Sequence, residues 1–403
     1  MRQFNQFKCM LALATALSCG GDGHQKATPT DTSALDTAMS DTDRADTASP
    51  ETDAEEGTEV AAADGQAPGT CSESNLDACA YPESGLSVTT REGFSITDKQ
   101  TGRVLPLLVR TPAGDGPFPV VIWSHGGGFN DNGHHLGAEW GAVIAAQGYV
   151  VVHLAHVTST KETGNAVCQL ASVPSGECGG SDDEDSGLLA VFRTFDMVGV
   201  LDGLQDLSDK NVEDGLAALD LSQVAIAGWS GGSRAPVVVL GATVNATVSA
   251  PRFSKPDLRV KAAVALSPTG PGFGGFFNNG EGAVTSWDTM RGPLLLATGD
   301  MDVKPDKPDL TGPVRRFPFT AQPADGKRWL LYSNLPVGVG GHGTFNLGDD
   351  SSSDERLARF SRALRSTVRA FLDAHLKNDA LAVAWLATDN AKVLAGDADW
   401  EHR

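Results

Sequence analysis

AIAGWSGGSR, residues 225–234, sets Ser230 between two glycines directly after a short apolar run. How this stretch is read decides the fold. It is either a strand running through a sharp turn into a helix, or a glycine-rich loop that happens to hold a serine. The pattern alone is weak evidence. With 46 glycines in 403 residues, chance supplies roughly 0.4 occurrences of Gly-x-Ser-x-Gly in a chain of this composition. Its surroundings must therefore decide.

Those surroundings alternate between two periods. LSVTTREGFSITD (86–98) and RVLPLLVRTPAG (103–114) read as strands, the second broken at Pro106 and closed by Thr-Pro. FPVVIWSHGGG (118–128) is a continuous apolar run ending in glycines, the signature of a central parallel strand. GAEWGAVIAAQG (137–148) has helical spacing and stops at Gly148, a suitable C-cap. YVVVHLAH (149–156) is the next strand. After a long polar loop, GLLAVFRTFDMVGVLDGLQDLS (187–208) reads as an amphipathic helix. QVAIAGWS then gives a strand and GGSRAPVVVLGAT a helix start. RVKAAVALSP (259–268), GPLLLATGD (292–300) and KRWLLYSN (327–334) are further strands, the last the final one expected. DERLARFSRALRSTVRAFLDAHL (354–376) is a strong helix, with Leu357, Phe360, Leu364, Val368, Phe371 and Leu372 on one face. Residues 379–403 are expected as a helical appendix packing Trp385 and Leu386 on the body. The alternation implies an α/β fold, a doubly wound, mostly parallel sheet flanked by helices. Ser230 then falls at a strand-to-helix junction.

Composition bounds the rest. A net charge of −20 argues against nucleic-acid binding, which needs a concentrated basic surface. Residues 21–70 carry a net −10, contain no Phe, Trp or Tyr, and are rich in Thr, Ala and Asp, so residues 19–70 are expected to be a disordered tether. A flexible chain of about 50 residues has an r.m.s. reach of about 40 Å. Ahead of it, Arg2 and Lys8 precede an apolar stretch from Cys9 to Leu17, which reads as a secretory signal over residues 1–18. ALSC (16–19) resembles a bacterial lipobox, with Ala16 where Leu is usual. That resemblance implies lipidation at Cys19, and Gly20 after it implies the outer membrane or cell surface. Simple secretion or a periplasmic location is the alternative.

Four cysteines remain after Cys9 and Cys19. Cys71–Cys79 and Cys168–Cys178 are the simplest of three pairings, each closing a loop of about ten residues for at most about 2.7 kcal/mol. Their spacings fit no zinc pattern. His153-x-x-His156 is a weak signal, so no metal and no cofactor is expected.

Taken as an ordered set, SHGGG (124–128), GWSGG (228–232), GDMD (299–302) and GGHGTF (340–345) resemble the α/β-hydrolase superfamily over roughly residues 85–376. The nearest likeness is to the secreted dienelactone-hydrolase-like, platelet-activating-factor-acetylhydrolase-like and cutinase-like esterases. The resemblance implies a serine carboxylic ester hydrolase in which Ser230 is the nucleophile at a tight elbow and His342 its base. The family's Gly-x-x-Asp turn, counted from Gly299, points to Asp302 as the acid, with Asp300 the alternative. Gly231 and a residue of the Gly126–Gly128 loop would donate to the oxyanion. Gly127 fits the family position best, followed by Gly128. His125 is expected to hold this loop, His156 to be structural, and Arg193 and Asp196 to form a structural ion pair one helical turn apart. Trp229, Phe129, Phe273, Phe276 and Phe277 are candidates for an acyl or aryl pocket. The loop 157–186 is expected to border the cleft, and 245–290 to hold a small lid or mobile loop. The catalytic domain would span 71–378 and act as a monomer on an ester, reaching the membrane only through its anchor. The alternatives are an inactive surface-binding lipoprotein and a serine peptidase of the same fold.

Overall fold

A computed structural model describes residues 70–403, apart from 180–185, 212–215, 217–218, 272–275, 278–284, 305–307, 309 and 348–352. The expectations for the signal, Cys19, the acidic tether and Phe273 lie outside the described residues. The chain divides into two units, Met1–Asp64 and Gly65–Arg403, and the second holds the sheet.

The sheet has nine strands. In chain order its first seven are β1 (Val88–Thr97), β2 (Val104–Pro112), β3 (Phe118–Ser124), β4 (Val150–Leu154), β5 (Leu219–Trp229), β8 (Val260–Leu266) and β9 (Leu294–Gly299). They are followed by β10 (Arg328–Ser333) and β11 (Ala398–His402). The short pair β6 (Val244–Asn245) and β7 (Arg252–Phe253) stands apart from the sheet. Across the sheet the order is β1-β2-β4-β3-β5-β8-β9-β10-β11. The six strands from β4 to β10 pair in parallel, and β1, β2 and β11 are antiparallel additions at the edges.

Side-chain alternation along each strand builds two apolar layers. Val120, Ile122, Val224, Ile226, Ala263 and Leu296 face one way, Val121, Trp123, Ala225, Ala227, Val264 and Leu295 the other. The first layer is closed by helices α2 (Lys161–Leu170), α3 (Gly187–Lys210) and α4 (Arg234–Val239), with Phe319 of α5 (Gly312–Thr320). The second is closed by α1 (Ala138–Ala146), α6 (Glu355–Leu376), α7 (Ala380–Leu386) and α8 (Asn390–Ala395). Helices on both faces of a mostly parallel sheet are the doubly wound arrangement the alternation implied.

Four local expectations are corrected. Helix α3 is not amphipathic in its first half: every residue from Gly187 to Leu201 is buried. Helix α2 and the excursion through β6 and β7 cover its outer side, and Phe195 meets Phe253 at 5.6 Å. Pro106 does not break β2. The Ala155 N–H donates to the Pro106 carbonyl at 2.9 Å just past the end of β4, so the missing proline N–H falls where that ladder stops. The polar loop after β4 contains α2, capped by the Thr160 hydroxyl on the Thr163 N–H. The C-terminal appendix is helical only to Ala395. It ends as β11, which covers the edge of β10 through pairs running from Trp329–His402 to Ser333–Ala398. Trp385 and Leu386 are buried as expected, the indole N–H donating to the Cys79 carbonyl at 2.9 Å.

Both local disulfides, Cys71–Cys79 and Cys168–Cys178, are formed. Such bonds mark a chain that matures outside the reducing cytoplasm. Among the described residues no helix is long and apolar enough to cross a membrane.

Candidate active site

The winding of the sheet creates the site. From β3 the chain moves outward to β4, then returns past β3 to lay down β5 on its other side. The connections that follow β3 and β5 therefore run to opposite sides of the sheet, and the loops leaving the two strands meet at its carboxyl edge, where ligand sites form in sheets wound this way. The loop His125–Phe129 leaves β3 there, and Ser230 leaves β5.

Ser230 sits in the left-handed region at φ 54°, a strain on the order of 1–2 kcal/mol for a side-chain-bearing residue. The tight packing around it explains why its neighbours are glycine. A Cβ on Gly228 would collide with the Gly232 carbonyl, and one on Gly232 with the Ser124 and His125 carbonyls. One on Gly231 would lie 2.5 Å from the Gly127 oxygen. The turn from β5 through the 3-10 segment Ser230–Ser233 into α4 is thus wedged against the loop from β3.

His342 and Asp302 come from separate turns, after β10 and β9. The His342 Nε2 lies 2.8 Å from the Ser230 Oγ, and its Nδ1 lies 2.6 Å from Asp302 Oδ1. Asp302 is fully buried, whereas the exposed Asp300 accepts from the Tyr332 hydroxyl at 2.7 Å and stands away from the imidazole's partners. The acid in contact is the one three places after Gly299.

Three partners of this acid escaped the sequence reading. Ser267, at the carboxyl end of β8 with φ 50°, donates its hydroxyl to Asp302 Oδ1 at 2.7 Å. Its oxygen also lies 2.9 Å from His342 Nδ1. Thr298 donates to Asp302 Oδ2 at 2.7 Å. The buried Arg315 of α5 donates to the Asp302 carbonyl at 2.9 Å, and to the Ser267 and Pro268 carbonyls at 3.1 Å each, tying the β8 and β9 turns together. Burial lowers the Arg315 pKa and the Asp302 charge opposes that shift. Position on the same rim was the available signal for Ser267. Nothing in the local sequence marks Arg315.

The loop after β3 has its carbonyls committed. The His125 Nδ1 lies 2.7 Å from the Gly126 carbonyl, and the His156 N–H approaches His125 Nε2 at 3.3 Å. This pattern requires the tautomer with hydrogen on Nδ1. Burial, aided by the charge of Arg193, pushes the His125 pKa down to about 2, so the ring is neutral. Arg193 donates to the His125 carbonyl, and to the Gly127 and Gly128 carbonyls at 2.7 Å each. Asp196 is engaged by Arg103, at 2.6 and 3.1 Å, and by His156 Nδ1 at 2.9 Å. The partnership expected between Arg193 and Asp196 is thus divided. The arginine serves the loop, and the aspartate neutralises a second buried arginine. Burial raises the Asp196 pKa against the pull of Arg103. His156 is held neutral by burial and accepts from the Ser124 hydroxyl at 2.8 Å.

The pocket candidates fare differently. Trp229 is half-buried, with its ring 4.9 Å from that of His342, and its indole N–H donates to the His342 carbonyl at 3.2 Å. It is a support for the histidine loop. Phe129 is half-buried against Phe192 at 5.7 Å. Phe276 and Phe277 are core residues, the latter stacked on Trp287 at 5.4 Å. The first residues of 157–186 do lie against the β3 loop, Thr158 donating to Asp131 at 3.0 Å. His153 bonds the Leu136 carbonyl from Nδ1 at 3.3 Å, apart from the His156 network. Among the described residues no group of three or more His, Cys, Asp or Glu is placed to hold a metal.

No known protein-family model matches the chain, and no curated protein matches it by sequence. The mostly parallel sheet with helices on both faces is compatible with an α/β-hydrolase. Chemically, the arrangement offers a hydroxyl in contact with an imidazole whose far nitrogen is held by a buried carboxylate. Beside it runs a loop whose carbonyls from His125 to Gly128 are taken by Arg193 and the His125 ring.

Proposed function

We propose that the chain is a serine carboxylic ester hydrolase of the α/β-hydrolase superfamily, acting through an acyl-enzyme. The observation carrying this reading is the unbroken contact from Ser230 Oγ through His342 to Asp302, at 2.8 and 2.6 Å, across three separate turns. A serine hydroxyl is a poor nucleophile until a base takes its proton. Ser230 Oγ attacks the ester carbonyl carbon while its proton passes to His342 Nε2. Asp302 orients the ring and stabilises its cation. Charge on the carbonyl oxygen is met by the N–H of Gly231 and N–H groups of the Gly127–Gly128 segment. Collapse expels the alcohol, which takes the proton from His342. Water, deprotonated by the same nitrogen, then attacks the acyl carbon and releases the acid and free Ser230.

The test is turnover of p-nitrophenyl acetate and butyrate by the purified protein, with Ser230→Ala alongside, and labelling by a fluorophosphonate. Loss of at least a thousandfold in kcat in the variant is expected, together with loss of labelling. Equal, slow hydrolysis by both proteins would remove the assignment. The disulfides support export, and the ALSC motif is the ground for proposing a lipid on Cys19 and an address at the outer membrane or cell surface. Metabolic labelling with palmitate, lost in Cys19→Ser, tests that address.

A further inference from the structure

We propose that Arg193 is the positioning residue of the oxyanion hole, its guanidinium aiming the Gly128 N–H toward Ser230 by holding the carbonyl that precedes it. The inference rests on the ester-hydrolase reading and names a part of its machinery. The argument is one of peptide geometry. A trans peptide is planar, so its C=O and the following N–H point in opposite directions. Fixing the Gly127 carbonyl on Arg193 at 2.7 Å therefore fixes the Gly128 N–H on the opposite side. Fixing the Gly128 carbonyl does the same for Phe129. His125 completes the set, since its ring holds the Gly126 carbonyl and so turns the Gly127 N–H.

The two glycine N–H groups are left without a backbone acceptor among the described residues, while the four carbonyls from His125 to Gly128 are all taken. The loop touches the elbow itself, because a Cβ on Gly231 would lie 3.4 Å from the Gly127 nitrogen. Donors released from internal bonding, on a loop beside the nucleophile, are what a developing oxyanion requires.

Arginine suits this task for two reasons. Its planar fork can serve three carbonyls at once, which the single ammonium of lysine cannot do in the same geometry. Its position is also enforced. Helix α3 is buried around this turn, and Arg193 is itself fully buried. Among the described residues the ionic groups beside it are Arg103 and Asp196, with His125 and His156 neutral, and the guanidinium itself carries the positive charge that the loop carbonyls meet. Carbonyl dipoles drawn to that charge present their N–H ends away from it, toward the place where negative charge forms.

The experiment compares Arg193→Lys, Gly128→Pro and the double variant with wild type, each checked for folding by circular dichroism. Arg193→Lys is expected to lower kcat on p-nitrophenyl butyrate roughly a hundredfold with KM within about twofold, the pattern of a lost transition-state contact. Gly128→Pro, on the surface loop, removes the N–H directly and is expected to do the same. The double variant should be no worse than either single one, because both act through one hydrogen bond. Additive losses, a folded Arg193→Lys with wild-type kcat, or a Gly128→Pro with wild-type kcat would each overturn the inference. With wild type active, such a result leaves the hydrolase reading standing. A wild type inert to both esters and to the fluorophosphonate sinks the two together.

Discussion

Ser267 shows how much of a site can hide behind a good motif. The nucleophile, base and acid stand in recognisable turns, but the hydroxyl that bonds both acid and base comes from the end of a strand with no motif around it. Its O–H donates to Asp302 at 2.7 Å, and its oxygen is 2.9 Å from His342 Nδ1. Ser267→Ala removes one of several bonds holding the carboxylate, and Thr298 and Arg315 remain. Hydrogen bonds to charged groups contribute about 1.5–3 kcal/mol, so the expected loss in kcat/KM is about tenfold, at the lower end. Steady-state kinetics with p-nitrophenyl butyrate reads this directly. An unchanged kcat/KM would mean that the imidazole is oriented without Ser267. Arg315 was beyond reach for a different reason. Its role depends on α5 docking over two loops, a tertiary relation that its own neighbours in sequence do not encode.

At the scale of elements, period and punctuation carried most of the fold. The apolar runs ending in glycine at 118–128 and 223–232 are β3 and β5, and the meeting of their loops at the carboxyl edge follows from their order in the sheet. What failed to read from periodicity was burial on two sides. A helix covered on its outer face by a later excursion has no polar stripe to betray it, so α3 looked amphipathic and is not. Strand β11 was hidden because ADWEH is short, half charged, and follows two helices. Its function is to close an edge. Removing residues 398–403 strips Trp400 from the core and leaves β10 with an unpaired row of backbone groups. Loss of a buried tryptophan costs about 3–5 kcal/mol, which for a chain of this size lowers the melting midpoint by roughly 5–10 °C. Scanning calorimetry should show that drop, and light scattering should show concentration-dependent association through the bared edge. Because the strand lies far across the sheet from Ser230, kcat below the transition should be unaffected. A truncated chain with unchanged melting and no association would mean that the edge needs no cover.

For the molecule as a whole, buried histidines set the acid limit. Burial holds His125 down to about 2, His153 to about 3 and His375 to about 4, and His156 well below the ordinary range. In the unfolded chain each returns to about 6.5. Below that value the unfolded state binds protons that the native state refuses, so stability falls as pH falls. The contribution is fully present above about pH 6.5 and is lost progressively toward the folded values. Each histidine gives a slope of at most about 1.4 kcal/mol per pH unit, and four together about 5. Asp196 acts in the opposite sense, since its raised pKa makes the native state the better proton acceptor as pH approaches the carboxylate range. Against a total stability of about 5–15 kcal/mol, four such groups are enough to unfold the domain between about pH 4 and 5. Urea midpoints measured from pH 8 to 4.5 should be flat above 6.5 and fall steeply below it. His153 is the position to test, because it belongs neither to the catalytic contacts nor to the Arg193 cluster. His153→Gln should reduce the slope below pH 6 by about one proton, about 1.4 kcal/mol per unit, whatever it does to absolute stability. An identical slope in the variant would place the acid sensitivity elsewhere, in the carboxylates rather than in the buried imidazoles.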